Sequence, residues 1–388
     1  MRETSGRMLF PAAILLVGIN LRPALASVGP LLDAIQRDTG LGDIGASLLT
    51  TFPVLLMGIC LLGTAWLRGW MGERAGIASG VLLILLACLG RWVWPQEAAL
   101  VLTAIVGGVG IAIVQSLMPG AIRRRAGPRS GRLMGFYSTA IMGGALMSSM
   151  AGAWIARALG WPTALGIWAL PALLGLCVWL LVPRGPQERI GLVQRSPVHH
   201  APRAWLLMLF FGFGTGAYTL VLAWLPPFYT QLGWSEQAAG AMLGAVTLSE
   251  VVAGITVSLW VDRSQDRRAV LFTAIAALLT GMLCLCVAPL QFAWAAALLA
   301  GLGIGALFPL SLIVAMDHGD DADQASALAG FVQGGGYVLA AALPLVAGLL
   351  RQHLADLTPA WWLMSGLCLA LALIAARFRP GDRLFLRL

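Results

Sequence analysis

The sequence predicts an all-α membrane protein: twelve transmembrane helices arranged as two pseudo-symmetric six-helix bundles. Three observations predict it. The chain is 59% hydrophobic and only 11% charged over 388 residues, whereas soluble domains carry roughly a quarter charged residues. Apolar runs long enough to cross a bilayer recur along its whole length, and such a run satisfies its own backbone groups only as a helix. The longest polar interruption falls at the midpoint.

Runs of spanning length lie at 9–32, 45–67, 76–95, 97–121, 133–157 and 163–183, and again at 204–228, 236–261, 269–288, 292–316, 325–350 and 360–378. They use up nearly the whole chain, so no soluble catalytic domain is expected. The first run follows Arg2 and Arg7 and ends near Ala24-Leu25-Ala26, the outline of a cleavable signal peptide. It has a counterpart later in the chain, which argues that it is retained.

The basic residues set the expected orientation. All 25 are Arg, and 20 fall in loops on one side of the predicted layer, among them Arg68, Arg74, Arg123, Arg124, Arg125, Arg203, Arg267 and Arg268. The other side holds Arg37, Arg91, Arg157 and Arg351, and Arg22 alone sits inside a run. Basic loops stay in the cytoplasm. This predicts an inner (plasma) membrane protein with both termini cytoplasmic and an even number of spans. The net charge of +8 is thereby a topology signal, and no nucleic-acid partner is expected.

The segment 184–203, RGPQERIGLVQRSPVHHAPR, is rich in Pro, Gly and charge, as linkers are. It divides the chain into an N-terminal bundle at 1–183 and a C-terminal bundle at 204–388. The two parts match at an offset of about 195 residues. Gly108-Val-Gly110-Ile111 in span 4 answers Gly301-Leu-Gly303-Ile304 in span 10, and Leu133-Met-Gly135-Phe136 answers Leu328-Ala-Gly330-Phe331. Gly18 and Pro30 answer Gly212 and Pro226. Parallel repeats of this kind belong to transporters whose site lies between the halves.

Polar residues inside apolar runs are the candidate site. Arg22 lies mid-span in Gly18-Ile-Asn20-Leu-Arg22-Pro23, where Pro23 removes a helical hydrogen bond. A guanidinium and Asn20 at that depth suit an anionic or strongly polar solute; the alternative is an Arg locked to neighbouring carbonyls or to an acid. Glu250 is the second buried charge, on one helical face with Thr247, Gly254 and Ser258. A carboxyl there can carry a proton, or form a structural ion pair with Arg22 or another helix. Gln115, Tyr137, Ser138, Tyr218, Thr219, Gln333 and Tyr337 are further polar groups, able to bind a solute or a neighbouring helix. Trp224 before Pro226-Pro227 suits an aromatic lid or an interfacial belt. Asp262, Arg263, Arg267 and Arg268 follow span 8, where opposite charges can latch onto a neighbouring helix end.

Other chemistries find no support. The six Cys fall in apolar runs without a C-x-x-C pair, so buried thiols are expected and neither disulfide nor metal site. Gly334-Gly335-Gly336 lacks the strand and Lys of a phosphate loop, and Asp317-His318-Gly-Asp320-Asp321 lacks the closing Glu of a calcium loop. It is taken as a solvated connector. There is no G-x-S-x-G or HExxH. No enzyme and no cofactor are expected.

The chain resembles the major facilitator superfamily, and within it the cyanate permease/2-nitroimidazole transporter family. The resemblance is carried by Asn20-Leu-Arg22-Pro23-Ala24 through Pro30, Gly110-Ile-Ala112 through Pro119, Gly160-Trp161 through Leu170, Tyr218 through Pro226, Phe308-Pro309-Leu310 and Gly335-Gly336-Tyr337 through Pro344. It implies alternating access about a site lined by spans 1, 4, 7 and 10. The superfamily's loop motif G-x-x-x-D-R-x-G-R-R maps partly onto Asp262, Arg263, Arg267 and Arg268, with Ser258 and Gln265 in place of its glycines. The drug exporters' span-5 motif matches at Gly135 and Gly144, but Ser148-Ser149 replaces its Gly-Pro. The expectation is therefore a monomeric secondary transporter of a small polar or anionic, cyanate-like solute, with proton coupling through Glu250. The alternatives are an efflux transporter for small aromatic or nitroheterocyclic compounds and, from another class, a membrane sensor or scaffold.

Overall fold

A computed structural model describes residues 2–127, 130–183, 198–260, 266–319 and 322–379. Twelve of its helices are long and apolar enough to cross a membrane. They are span 1 (Leu9–Ala26), span 2 (Asp43–Leu62), span 3 (Glu73–Val93), span 4 (Glu97–Ala126), span 5 (Ser130–Leu159) and span 6 (Trp161–Leu181). The second set is span 7 (Pro202–Gln231), span 8 (Glu236–Trp260), span 9 (Arg268–Val287), span 10 (Ala293–Asp317), span 11 (Gln324–Leu354) and span 12 (Thr358–Ala375). Large apolar side chains such as Leu86, Leu174, Ile255 and Leu373 point outward, as they do when the solvent is lipid.

Three elements depart from the runs in the sequence. Span 2 stops at Leu62, and a separate short helix, Thr64–Met71, follows it. That helix carries the stacked rings of Trp66 and Trp70, both largely exposed, a pair suited to the polar boundary of a bilayer. Span 7 starts at Pro202, inside the expected linker, whose residues 184–197 lie outside the described ones. Span 1 continues beyond Ala26 as a third helical piece, Val28–Thr39.

The repeat is visible in the packing. Within the first six spans, span 1 packs on 5 and 6, span 4 on 2 and 3, and span 6 on 3; spans 7 to 12 repeat most of this pattern, with 7 on 11, 10 on 8 and 9, and 12 on 9. The glycine pairs explain part of it. A side chain on Gly108 would collide with Pro53 of span 2, and one on Gly110 with Gly80 and Ile84 of span 3. In the second set, Gly301 abuts Val246 of span 8 and Gly303 abuts Leu278 of span 9 in the same way. Small residues let helix backbones approach where no hydrophobic force drives them together.

The two bundles meet along spans 2 and 11 and along spans 5 and 8. At the face opposite the chain termini the contact is closed. Gly240 and Gly244 of span 8 lie against Ser149 and Met150 of span 5. Ion pairs cross there from one bundle to the other: Arg351 to Asp33 at 3.7 Å and to Asp43 at 3.5 Å, and Arg37 to Glu236 at 3.0 Å. Towards the terminal face, Gly131 and Gly135 of span 5 and Gly330 of span 11 border open space.

Candidate functional site

The site begins with a break in span 1. Helix Arg2–Ile19 ends in two tight turns, Asn20 N–H to Val17 O and Leu21 N–H to Gly18 O, both 3.1 Å. A four-residue helix, Pro23–Ala26, follows, with Pro23 in its first turn, where the absent N–H costs nothing. Arg22 sits at this junction. The carbonyl of Ile19, which Pro23 cannot bond, faces span 5 at Gly144, where any side chain would collide with it. The break is thus accommodated by a neighbouring backbone.

Arg22 is 5% exposed and Glu250 7%. The guanidinium carbon lies 5.0 Å from the centre of the Tyr218 ring on span 7. Tyr337 of span 11, Tyr218 and Glu250 of span 8 are all close enough to Arg22 to interact electrostatically, and Tyr137 of span 5 senses the same charge. Five of the expected residues, drawn from both bundles, therefore converge. Among the described residues no carboxylate lies within ion-pair distance of Arg22, so the expected alternative of an Arg22–Glu250 ion pair is not formed. The Nε of Arg22 and the hydroxyls of Tyr137 and Tyr218 are buried without a hydrogen-bond partner. A buried polar atom left without one costs about 1–3 kcal/mol. Two free hydroxyls beside a cation that has its own free Nε–H and also bonds the Tyr337 hydroxyl form a place where an acceptor-rich anion would be held.

Glu250 is placed by span 10. Gly305 packs directly on its backbone, with no room for a Cβ between them. The polar face expected around Glu250 is not an inward stripe. Thr247 Oγ1 donates to Leu243 O and Ser258 Oγ to Gly254 O, and Ser258 is exposed. Hydroxyls bonded to their own helix turn have little left for a solute.

Other expected residues go elsewhere. Asn20 is buried, but its amide donates to Leu16 O at 2.6 Å and Pro171 O at 2.9 Å, tying span 1 to span 6. Thr219 bonds Gly216 O and Ala340 O. Gln115 and Gln333 are half-buried and make no side-chain hydrogen bond to a described residue, and nothing joins them to Arg22. Trp224 lies on the closed face: it is fully buried, its indole N–H bonds Pro344 O of span 11, and Arg351 lies 5.4 Å from its ring centre. Asp262 and Arg263 lie outside the described residues. Arg267 pairs with Asp317 at the end of span 10 (3.3 Å), and Arg268 with Asp266 (2.7 Å). The connector after span 10 is only partly solvated, because His318 is buried between Arg203 and Phe378. Among the described residues no group of three His, Cys, Asp or Glu is placed to hold a metal ion.

Two features escaped the sequence reading. Arg91, expected in an outer loop, is 2% exposed inside span 3 and bonds Ala24 O at 2.7 Å. The second is the set of acids Asp33, Asp43 and Glu236, partners of Arg351 and Arg37. Acids at span ends next to the sparse Arg of the less basic side were the available signal.

Comparison with known proteins agrees with this architecture. The profile of the Major Facilitator Superfamily matches residues 14–341 and 225–385. The cyanate transport protein CynX of Escherichia coli (strain K12) is 36% identical over 95% of this chain and 96% of its own. The 2-nitroimidazole transporter of the same organism is 31% identical over 88% of each. Among solved structures, a D-xylose–proton symporter superposes with a TM-score of 0.77 at 19% identity, covering 97% of this chain and 98% of that one. The nucleoside transporter NupG superposes with a TM-score of 0.74 at 15% identity, covering 96% and 98%. The relatives are transporters, not enzymes. A chain of twelve spans with this packing, matched over nearly its whole length, is a multi-pass membrane transporter of the Major Facilitator Superfamily, and it belongs to the family of the cyanate and 2-nitroimidazole transporters.

Proposed function

We propose that this transporter moves a small monovalent anion of the cyanate class across the cell's inner membrane, with Arg22 as the cation that binds it. The observation that carries this reading is the buried guanidinium of Arg22, which bonds the Tyr337 hydroxyl but has a free Nε and no carboxylate of the described residues at ion-pair distance, beside the unpartnered hydroxyls of Tyr137 and Tyr218. Donors without acceptors call for an acceptor-rich ligand, and a desolvated guanidinium calls for an anion. Because Tyr218 and Tyr337 come from one bundle and Arg22 from the other, rocking the bundles would assemble the site and take it apart.

In this reading Glu250 carries a coupling proton. A bound anion neutralises Arg22 and leaves an ionised Glu250 without a compensating charge in a buried site. Taking up one proton restores neutrality, so one proton travels with one anion. The termini are assigned to the cytoplasm, the functional unit to a monomer, and the closed face with Arg351 to the outside.

The test is uptake of radiolabelled cyanate into vesicles reconstituted with the purified protein. The native chain accumulates it down an imposed proton gradient, and Arg22→Ala does not. Uptake by Arg22→Ala equal to native would overturn the anion site. A second reading, export of small nitroaromatics, is favoured by the aromatic wall of Phe211, which packs 5.4 Å from Tyr337 and 5.5 Å from Phe308 between ring centres. Competition between 2-nitroimidazole and cyanate in the same vesicles separates the two.

A further inference from the structure

We infer that Arg91 is a positioning residue for the anion site, holding the broken segment of span 1 that presents Arg22. This inference rests on the reading of Arg22 as the binding cation.

Arg91 lies in the last turn of span 3, and its guanidinium is buried at 2% exposure. Its Nη1 donates to Ala24 O at 2.7 Å and its Nε to Thr103 Oγ1 of span 4 at 3.3 Å. No carboxylate of the described residues lies within ion-pair distance of it. A buried cation that spends its donors on one carbonyl and one hydroxyl is a costly way to join helices. An apolar contact would pack spans 1 and 3 as well.

The position of that carbonyl explains the expense. Ala24 lies in the four-residue helix immediately after Arg22, between the tight turn at Asn20–Leu21 and the turn at Ser27. A segment this short has little helical stability of its own. Asn20 fixes it on the upstream side by bonding Pro171 O of span 6. Arg91 fixes it on the downstream side from span 3. The backbone carrying Arg22 is thus clamped on both flanks by side-chain donors bonded to other helices, and binding groups gain affinity when their own support is rigid.

The consequence is a separation of effects. Without the clamp, the Arg22 segment samples orientations in which the guanidinium faces away from Tyr137 and Tyr218. Affinity for the anion then falls while the transport cycle of a loaded carrier is unchanged. Arg91→Met keeps the apolar stem and removes the donors; Arg91→Lys restores one donor and the charge.

The experiment measures cyanate uptake kinetics in vesicles and the cyanate-induced rise in melting temperature of the purified protein in detergent. Arg91→Met is expected to raise KM roughly tenfold or more, as small misplacements of binding groups do, with maximal rate near native. Arg91→Lys should recover most of the affinity. A merely structural role would lower the unliganded melting temperature and leave KM untouched, and that result overturns the inference. Should Arg91→Met fail to fold, Thr103→Val loosens Arg91 without removing it; a KM rise of about twofold or more supports the inference, since one hydrogen bond of the Arg91 guanidinium is lost while its bond to Ala24 O remains, and a native KM overturns it. Native uptake by Arg22→Ala would instead sink the underlying site, so the two failures are distinguishable.

Discussion

Arg22 and Tyr218 face one another across the two bundles, guanidinium to ring at 5.0 Å. The contact has two parts, a cation over an aromatic face and a hydroxyl without a partner. Cation–π contacts that are shielded from water are worth about 2 kcal/mol, against about 0.5–1 kcal/mol when exposed. Tyr218→Phe keeps the first part and loses the second, so KM for cyanate should rise roughly ten- to hundredfold, in line with one hydrogen bond to a charged group. Tyr218→Ala loses both and should raise KM further. Equal kinetics for Tyr218→Phe and native protein would remove the hydroxyl from the site.

Glu250 is tested by separating exchange from accumulation. If it carries the coupling proton, Glu250→Gln mimics the permanently protonated state. Counterflow of cyanate between two equal pools should persist, while accumulation driven by an imposed pH gradient should vanish. Gradient-driven accumulation that survives in Glu250→Gln places the proton elsewhere. Gly305, packed on the backbone of Glu250, is the residue whose enlargement to Leu should impair both activities together, because it displaces span 8.

The parts of this site that were legible in the sequence are those whose signal is local. Arg22 and Glu250 stand out because a charge inside an apolar run is expensive wherever the run folds. The break in span 1 was legible through Pro23. The twelve spans were legible because lipid imposes length and apolarity on each helix separately. What was not legible depends on distant chain segments. Asn20, Gln115, Tyr137 and Gln333 carry one and the same signal, a polar group in an apolar helix. Only packing shows that Tyr137 turns to Arg22 while Asn20 turns to Pro171. Arg91 lies two residues from the end of its helix, next to Trp92 and Trp94, and looks like an ordinary interfacial Arg. Its burial comes from spans 1 and 4 closing over it.

The closed face gives a prediction that turns on exposure. The pair Arg37–Glu236 has an Arg side chain 71% exposed, whereas Arg351 is 15% exposed between Asp33 and Asp43 and beside Trp224. Exposed pairs contribute about 1 kcal/mol or less, and shielded ones more when a partner is removed. Arg37→Ala should therefore leave the conformational balance almost unchanged. Arg351→Ala should open this face, read as a longer distance between spin labels at Gly42 and Leu232 in double electron–electron resonance. Identical distance distributions in native and Arg351→Ala protein would show that the pair does not hold the face shut.

The pH dependence of transport separates the buried acid from the loop acids. In the loop between spans 8 and 9, hydrogen bonds from the Arg268 guanidinium and backbone hold the Asp266 carboxyl down at about 2, from an ordinary 3.8. The sign follows for an acid whose folded value is depressed: its contribution is complete above the ordinary carboxylate range and is lost only as pH falls towards 2. The Asp266 side chain is 42% exposed, so that contribution is small. It stays ionised throughout the physiological range and offers no titration there. Asp266→Asn should accordingly leave the pH profile of cyanate uptake between about pH 5 and 8 superimposable on the native one, that interval being where most proteins are most stable. Glu250→Gln should flatten the same profile. A profile that moves with Asp266→Asn and not with Glu250→Gln would transfer the pH dependence from the centre of the membrane to the loop.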